Sequence, residues 1–414
     1  MILSYKFQLL PSKSQEIQLD KFLNIGKNFW NYVLDLDQEH YKNKKDDEKT
    51  YSDYDLHKFI NNFKDQNKDL TKLHMHLYQE ICTRYVYARS NAIKKYKSGL
   101  SNHLELPKIK EESLKSLKFK QYNNGCKIQG NKVIFNKLTL KFRKHIEIEG
   151  DIKTIQIKKV YKNKYELIVT CCVNKEFISK YSELKENIRF IKDNRAIKDT
   201  KVIGIDLGLE KLVTLSTGKV YENPRHIKKY EKRLEELKEI MNSRKKDSKR
   251  YEKARMLFQK KHEKIKNSRD NYLHKVSKEI VLTCGTTLVA EKLEVKKMLE
   301  STKIYNPVKK SIADASWARL FFFLDYKCNK YGKTFIQLNP AYSSQECYNC
   351  GNIKEKKLSE RVHNCEKCGE RGLDRDLNSA LVLRKRYLGI NNTKARNVPS
   401  FNHENPIPCE AWGG

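Results

Sequence analysis

Residues 201–218 read KVIGIDLGLEKLVTLSTG, and the fold turns on how this stretch is read. Its first half is a near-continuous apolar run, Val202, Ile203, Ile205 and Leu207, of the kind buried in the middle of a sheet. One acid, Asp206, interrupts it, and an unpaired carboxylate there is costly unless a cation lies near. Gly204 and Gly208 leave room for close backbone approach. LVTLST and KVYEN continue the stretch as a β-meander. Taken alone, GIDLG also fits the Asp-Gly turn with which actin-like and sugar-kinase folds bind nucleotide phosphates, so residues further along the chain decide between the two.

Downstream, a Lys/Glu-rich pair of helices is expected from about Pro224 to Val281, with Tyr230, Leu234, Leu237 and Met241 as one apolar stripe. TTLVAE reads as a strand ending in Glu291, SIADASWARLFFFLDYKCNKYG as one amphipathic helix and KTFIQLN as a further strand. GLDRDLNSALVLRKR then opens a helix with Asp376 in its first turn. Three strands, a crossover and a strand–helix–strand unit make the RNase H-like order. No further Gly-rich phosphate loop is present, and acids stand instead at Asp206, Glu291 and Asp376. Such a set suits two-metal phosphodiester hydrolysis, in which carboxylates hold Mg²⁺ ions about 4 Å apart. Each acid has a plainer reading: Glu291 as a strand-end surface acid, Asp376 as a helix N-cap. Asp374 competes with Asp376, since both flank Arg375. The order Asp, Glu, Asp disfavours a transposase in which the glutamate comes last.

Directly before the third acid, SSQECYNCGNIKEKKLSERVHNCEKCG carries Cys347, Cys350, Cys365 and Cys368 as two Cys-x-x-Cys knuckles fourteen residues apart. Four thiolates with no open position make a structural Zn²⁺ site, and Gly351 and Gly369 fit the tight turn after each knuckle. A redox pair, or His363 in place of one sulfur, are the alternatives. The other seven cysteines are scattered and read as thiols.

Lys and Arg total 85 against 51 Asp and Glu, a formal charge of +34 in 414 residues, which favours a polyanionic partner, nucleic acid first. No secretory pattern opens the sequence and no apolar run reaches bilayer length, so an intracellular, cytoplasmic and nucleoid-associated protein with no membrane partner is expected. At the N-terminus ILSYKFQLL reads as a strand, followed by helical spacing to about residue 100, broken by a solvated loop at NKKDDEKTYSDYD. RYVYARSNAIKKYKSGL interleaves tyrosines with Arg84, Arg89 and three lysines, a pattern that serves base stacking or core packing equally well. Short alternating runs from residue 116 to about 173, with Asn-Gly and Gly-Asn turns, read as an antiparallel sheet or small barrel that the first strand joins. Residues near 175–200 read as a helix and a connector.

GIDLGLEKLVTLSTG, LVAEKLEV, SWARLFFFLDYK, AYSSQECYNCG and GLDRDLNSA together resemble the TnpB family of transposon-encoded, RNA-guided DNA endonucleases, relatives of the type V CRISPR effectors. The likeness implies an α/β multidomain protein. Residues 1–12 and 104–180 would form a wedge-like β-barrel domain, with a helical recognition domain at 13–103 inserted into it. A RuvC-like, RNase H-like nuclease domain would span 201–340 and 373–388, with an inserted zinc ribbon at 341–372; by their own composition 181–200 read as a connector and the polar, Pro-bearing 389–414 as a flexible tail. Asp206, Glu291 and Asp376 would be the catalytic, Mg²⁺-binding positions, and the four cysteines would be the ligands of a target-nucleic-acid-binding zinc ribbon. The resemblance also implies a guide RNA from the element's own end, double-stranded target DNA and a short target-adjacent motif. In such systems base pairing supplies sequence choice and the protein reads shape. One departure is Ser379, where the family commonly has alanine after the asparagine. A compact type V effector, a nuclease-inactive RNA-guided regulator and a guide-free transposase are the rival readings, and the oligomeric state stays open.

Overall fold

The computed structural model describes residues 2–43, 50–68, 73–99, 101–173, 201–246, 248–302, 304–339, 341–356 and 360–393. The chain divides into two compact units, Met1–Phe177 with Arg244–Lys260, and Ile178–Ser243 with Lys261–Gly414.

In the first unit β1 (Ile2–Leu9) runs into the helix α1 (Lys13–Asn43), and three more helices follow: α2 (Asp53–His57), α3 (Ile60–Gln66) and α4 (Met75–Lys97). Six strands come next: β2 (Ser116–Phe119), β3 (Cys126–Gln129), β4 (Lys132–Phe135), β5 (Leu138–Arg143), β6 (Asp151–Tyr161) and β7 (Lys164–Cys172). They form one sheet in the order β2-β6-β7-β1-β5-β4-β3, antiparallel throughout. β2 and β3 are its two edges, where a closed barrel would have none. The first strand pairs with β7 from Ile2↔Cys172 to Gln8↔Glu166, so Tyr5, Phe7 and Leu9 all turn to one face. That face and the helices share a single hydrophobic core, with Phe29, Tyr78 and Tyr85 packed alongside Phe7, Phe119 and Leu167.

The stretch expected to be a solvated loop is partly helical. Ser52 accepts from the Asp55 amide at 3.2 Å while Asp55 accepts from the Ser52 amide at 3.0 Å, a reciprocal cap that starts α2 inside a charged run. Such a cap satisfies two helix-end amides at once, which hydropathy patterning does not register.

The second unit holds β8 (Val202–Leu207), β9 (Lys211–Leu215), β10 (Val220–Glu222), β11 (Thr287–Glu291) and β12 (Thr334–Leu338), in the order β10-β9-β8-β11-β12. The first three are antiparallel neighbours; β8, β11 and β12 are parallel. A 3₁₀ turn (Lys228–Tyr230) and α5 (Glu231–Asn242) follow β10, then α6 (Lys249–Thr283), which belongs to this unit from Lys261 onward, leads to β11. Leu234 and Leu237 of the expected apolar stripe are buried.

Between β11 and β12 lie α7 (Val295–Glu300), α8 (Asn306–Ala315) and α9 (Trp317–Lys330). The single amphipathic helix expected over residues 311–332 is therefore two helices, parted at Ser316 in the left-handed region, φ 53°. The Ser316 hydroxyl bonds the Ala313 carbonyl at 2.9 Å and its amide bonds the Ile312 carbonyl at 3.2 Å, which closes the first helix. Both pieces still bury apolar residues in one core, Ile312 and Ala315 from one, Trp317, Leu320 and Leu324 from the other. Apolar spacing alone could not see the break.

A two-stranded ribbon, β13 (Val362–His363) with β14 (Leu373–Asp374), leads into α10 (Arg375–Thr393). This last helix passes Gly389, where the domain was expected to end. The segment 175–200 and the residues beyond Thr393 lie outside the described residues, with the connector and tail readings attached to them. Among the described residues no helix is long and apolar enough to cross a membrane.

Candidate functional site

Every position of β8 is fully buried but Asp206, and every position of β11 but Glu291, both acids being part-buried near the strand ends. The two strands run parallel with Ala290 beside Ile205, so one step onward both acids reach the carboxyl ends of neighbouring strands. α10 brings the third acid. It crosses β8 so closely that a Cβ on Gly204 would sit 1.9 Å from the Ala380 carbonyl oxygen, so glycine is required by the approach itself. Asp376, in the first turn of that helix, is thereby set near Asp206.

Asp206 feels the charges of the other two. Burial first, then the Glu291 and Asp376 carboxylates, push the Asp206 carboxyl well above the usual range, with Arg375 pulling the other way. Burial raises the Glu291 carboxyl, partly offset by a hydrogen bond from the Ser343 hydroxyl at 3.4 Å. Asp376 keeps Arg375 beside it, Nε to Oδ1 at 3.6 Å. Among the described residues only the four cysteines form a group of three or more with ligand atoms within 4.8 Å of one another, so the three acids stand near each other without meeting at one point. Hard carboxylate oxygens are nonetheless the donors a divalent cation takes, and its charge would relieve the pressure on Asp206.

Asp374 is differently employed. Its Oδ1 accepts from the Asp376 and Leu377 amides, and its Oδ2 takes the Lys211 ammonium at 2.5 Å. Burial pushes its carboxyl up, but the Lys211 bond and the two amides outweigh this and hold it below the usual range. It is thus the N-cap that the plainer reading assigned to Asp376. Lys211, Ser343 and Asn378 escaped the sequence reading because the contacts that matter are with residues far along the chain.

Cys347, Cys350, Cys365 and Cys368 bring their sulfurs within 4.8 Å of one another. Two of the separations, Cys347 to Cys368 at 3.7 Å and Cys350 to Cys365 at 3.5 Å, approach the edge of about 3.8 Å that a zinc–sulfur tetrahedron requires. The two knuckles repeat one geometry. The Gly351 amide bonds the Cys347 carbonyl at 2.9 Å and the Gly369 amide the Cys365 carbonyl at 3.0 Å, with φ of 75° and 77° at the glycines. The Cys368 amide leads the groups that hold the Cys365 thiol down to about 6, whereas burial pushes Cys347 up to about 11. His363 is buried in β13 and pairs with Lys356, and it is not among the clustered ligands. The remaining described cysteines are free thiols.

In the first unit, the tyrosine-interleaved segment divides by burial. Arg89 is buried in an ion pair with Asp37, whose other oxygen takes the Tyr85 hydroxyl at 2.8 Å. Arg84 pairs with Glu80. Tyr87 and Tyr96 are half exposed on the same helix, which leaves them, and not Tyr85, as surface aromatics beside the lysines.

Three family signatures match the chain: "Probable transposase" over residues 181–302, "Cas12f1-like, TNB domain" over 317–383 and "Helix-turn-helix domain" over 1–46. The described part of the last is one strand and one unbroken helix. A "Putative RNA-guided DNA endonuclease" of Streptomyces pristinaespiralis is 35% identical over 183 residues, 44% of this chain and 44% of that protein. The like-named InsQ of Escherichia coli (strain K12) is 31% identical over 177 residues, 40% of this chain and 44% of the relative. The matched region thus spans less than half the length of either. Among solved structures, the "Cryo-EM structure of the Cas12f1-sgRNA-target DNA complex" superposes with a TM-score of 0.54 at 14% identity, covering 90% of this chain and 83% of that one. The likeness extends to the fold.

Proposed function

We propose, from the premise that this chain resembles the TnpB family of RNA-guided DNA endonucleases, that it is an RNA-guided, Mg²⁺-dependent DNA endonuclease of a mobile element. It cuts target DNA beside a short adjacent motif through a RuvC-type centre. The observation that carries the reading is the convergence of Asp206, Glu291 and Asp376 from two parallel strands and a crossing helix, near enough that, beyond burial, the latter two push the Asp206 carboxyl up. The named relatives and the shared fold support it.

In this reading Asp206, Glu291 and Asp376 hold the divalent ions. When bound, such ions activate a water and stabilise the leaving oxygen of the phosphodiester. The chain's own part is placement. Gly204 lets α10 lie on β8, Asp374 fixes the first turn of that helix, and Lys211 offsets the Asp374 charge, which adds least to the push on Asp206. The four cysteines hold zinc in a structural role, and the excess of positive charge serves the guide RNA and the DNA, with binding that weakens as salt rises.

The test is to express the protein with its native flanking DNA, purify it and sequence the RNA that accompanies it. RNA ending in variable sequence from the element boundary supports the proposal, and DNA matching that sequence should then be cut in Mg²⁺. Repeat–spacer RNA would move the reading to a type V effector. Absence of any specific RNA would remove RNA guidance.

A further inference from the structure

The chain from Ser343 to Tyr348, which leads into the first cysteine knuckle, touches two of the three acid-bearing elements. At its start Ser343, buried, donates its hydroxyl to Glu291 Oε2 at 3.4 Å. At its end Asn378, fully buried, closes on it with both ends of its amide. Asn378 Nδ2 donates to the Glu346 carbonyl at 2.7 Å, and Oδ1 accepts from the Tyr348 amide at 3.1 Å. These two backbone groups flank Cys347, and Asn378 stands two residues beyond Asp376 in the first turns of α10.

Further along α10 the same piece of chain is gripped again. Arg386 holds the Glu346 carboxylate through Nη2 at 2.6 Å and Nε at 2.9 Å, while Lys385 donates to the Tyr348 and Asn349 carbonyls. These outer contacts would be enough to fasten the knuckle to the helix. Asn378 adds something else, because a buried amide with donor and acceptor both engaged admits little change of angle or separation. Any shift of the knuckle is passed to the turn that carries Asp376, and through Ser343 to the carboxylate of Glu291.

We propose that Ser343 and Asn378 are positioning residues of the nuclease centre, and that residues 343–348, anchored at Cys347, set the placement of Glu291 relative to Asp376. The affinity of the acids for divalent cation then depends on this segment. The inference rests on the nuclease reading above.

Magnesium titrations of the intact chain test it, read by thermal shift and, with RNA-loaded protein, by cleavage. Zinc content is measured in parallel. Ser343→Ala and Asn378→Ala should raise the Mg²⁺ midpoint about tenfold or more, the usual effect of removing a group that orients a metal ligand. Ser343→Thr, which keeps the hydroxyl, should restore it, and zinc content should not change in either Ser343 variant. A wild-type midpoint in Ser343→Ala, or a threonine variant as impaired as the alanine one, would overturn the inference. If Asn378→Ala does not fold, the Ser343 pair decides. A wild-type chain that neither responds to Mg²⁺ nor cuts would overturn the nuclease reading and this inference together. A responsive wild type beside unshifted variants would overturn the inference alone.

Discussion

Asp374 caps the helix whose first turn carries Asp376: its Oδ1 accepts from the Asp376 amide at 3.0 Å and the Leu377 amide at 3.1 Å. Two acids that flank one arginine in sequence therefore have separate work. Asp374 satisfies helix-end amides and takes Lys211, while Asp376 is held by that cap in a fixed first turn close to Asp206.

Asp206→Ala, Glu291→Ala and Asp376→Ala should each abolish cleavage with nucleic-acid binding intact. Asp374→Ala should lower stability by about 1 kcal/mol through the lost cap and leave measurable cutting. Cleavage of a matched DNA, with melting measured alongside, separates the two. An Asp374 variant that melts like wild type yet is as inactive as the Asp376 variant would reverse the assignment.

The acids should make the metal-free protein pH-sensitive. The Asp206 and Glu291 carboxyls lie above their ordinary range in the folded state, so over the interval between ordinary and raised values the folded chain holds more protons than the unfolded one. Stability is then lost as pH rises from about 4 through that interval. Thermal melts across pH in a chelator should show the decline, Mg²⁺ should oppose it, and Asp206→Asn should flatten it while ending cleavage. A chelated wild type that grows more stable over the same interval would contradict the electrostatics.

Gly204→Ala should be among the most damaging small substitutions, because the added carbon meets backbone oxygen on a packed helix. A loss of about 3 kcal/mol or more is expected, the upper end for overpacking. Urea unfolding checks it, and wild-type stability would mean that α10 does not lie on β8 as described.

Zinc should be present at about one per chain, and chelation should remove it with loss of folded ribbon. Metal analysis with thiol counting before and after chelation is decisive. Metal-free protein with two Cys-x-x-Cys disulfides would restore the redox reading.

Arg89→Ala should cost about 3–5 kcal/mol, since it strands Asp37 in the core. Tyr87→Ala and Tyr96→Ala should leave stability nearly unchanged and weaken RNA binding. Chemical melts and binding isotherms on the same variants test the division; a stable Arg89 variant with weakened binding would invert it.

Much of this protein was legible along the chain because its strongest signals are local. An apolar run broken by one acid marks β8, two Cys-x-x-Cys pairs mark the metal finger, and an excess of lysine points to a polyanion; each depends on residue type and short spacing alone. What the sequence could not decide are matters of direction. It left Asp374 and Asp376 as equals, but the cap and Lys211 arise only once the chain has turned from β14 into α10 beside β9. It left Tyr85 and Tyr87 alike, but one faces the core and the other solvent. It read residues 311–332 as one helix, because a serine hydroxyl closing a turn leaves no trace in apolar spacing. Ser343 carried no signal and Asn378 only a place in a motif, since a hydrogen bond between residues dozens of positions apart exists only in the folded chain.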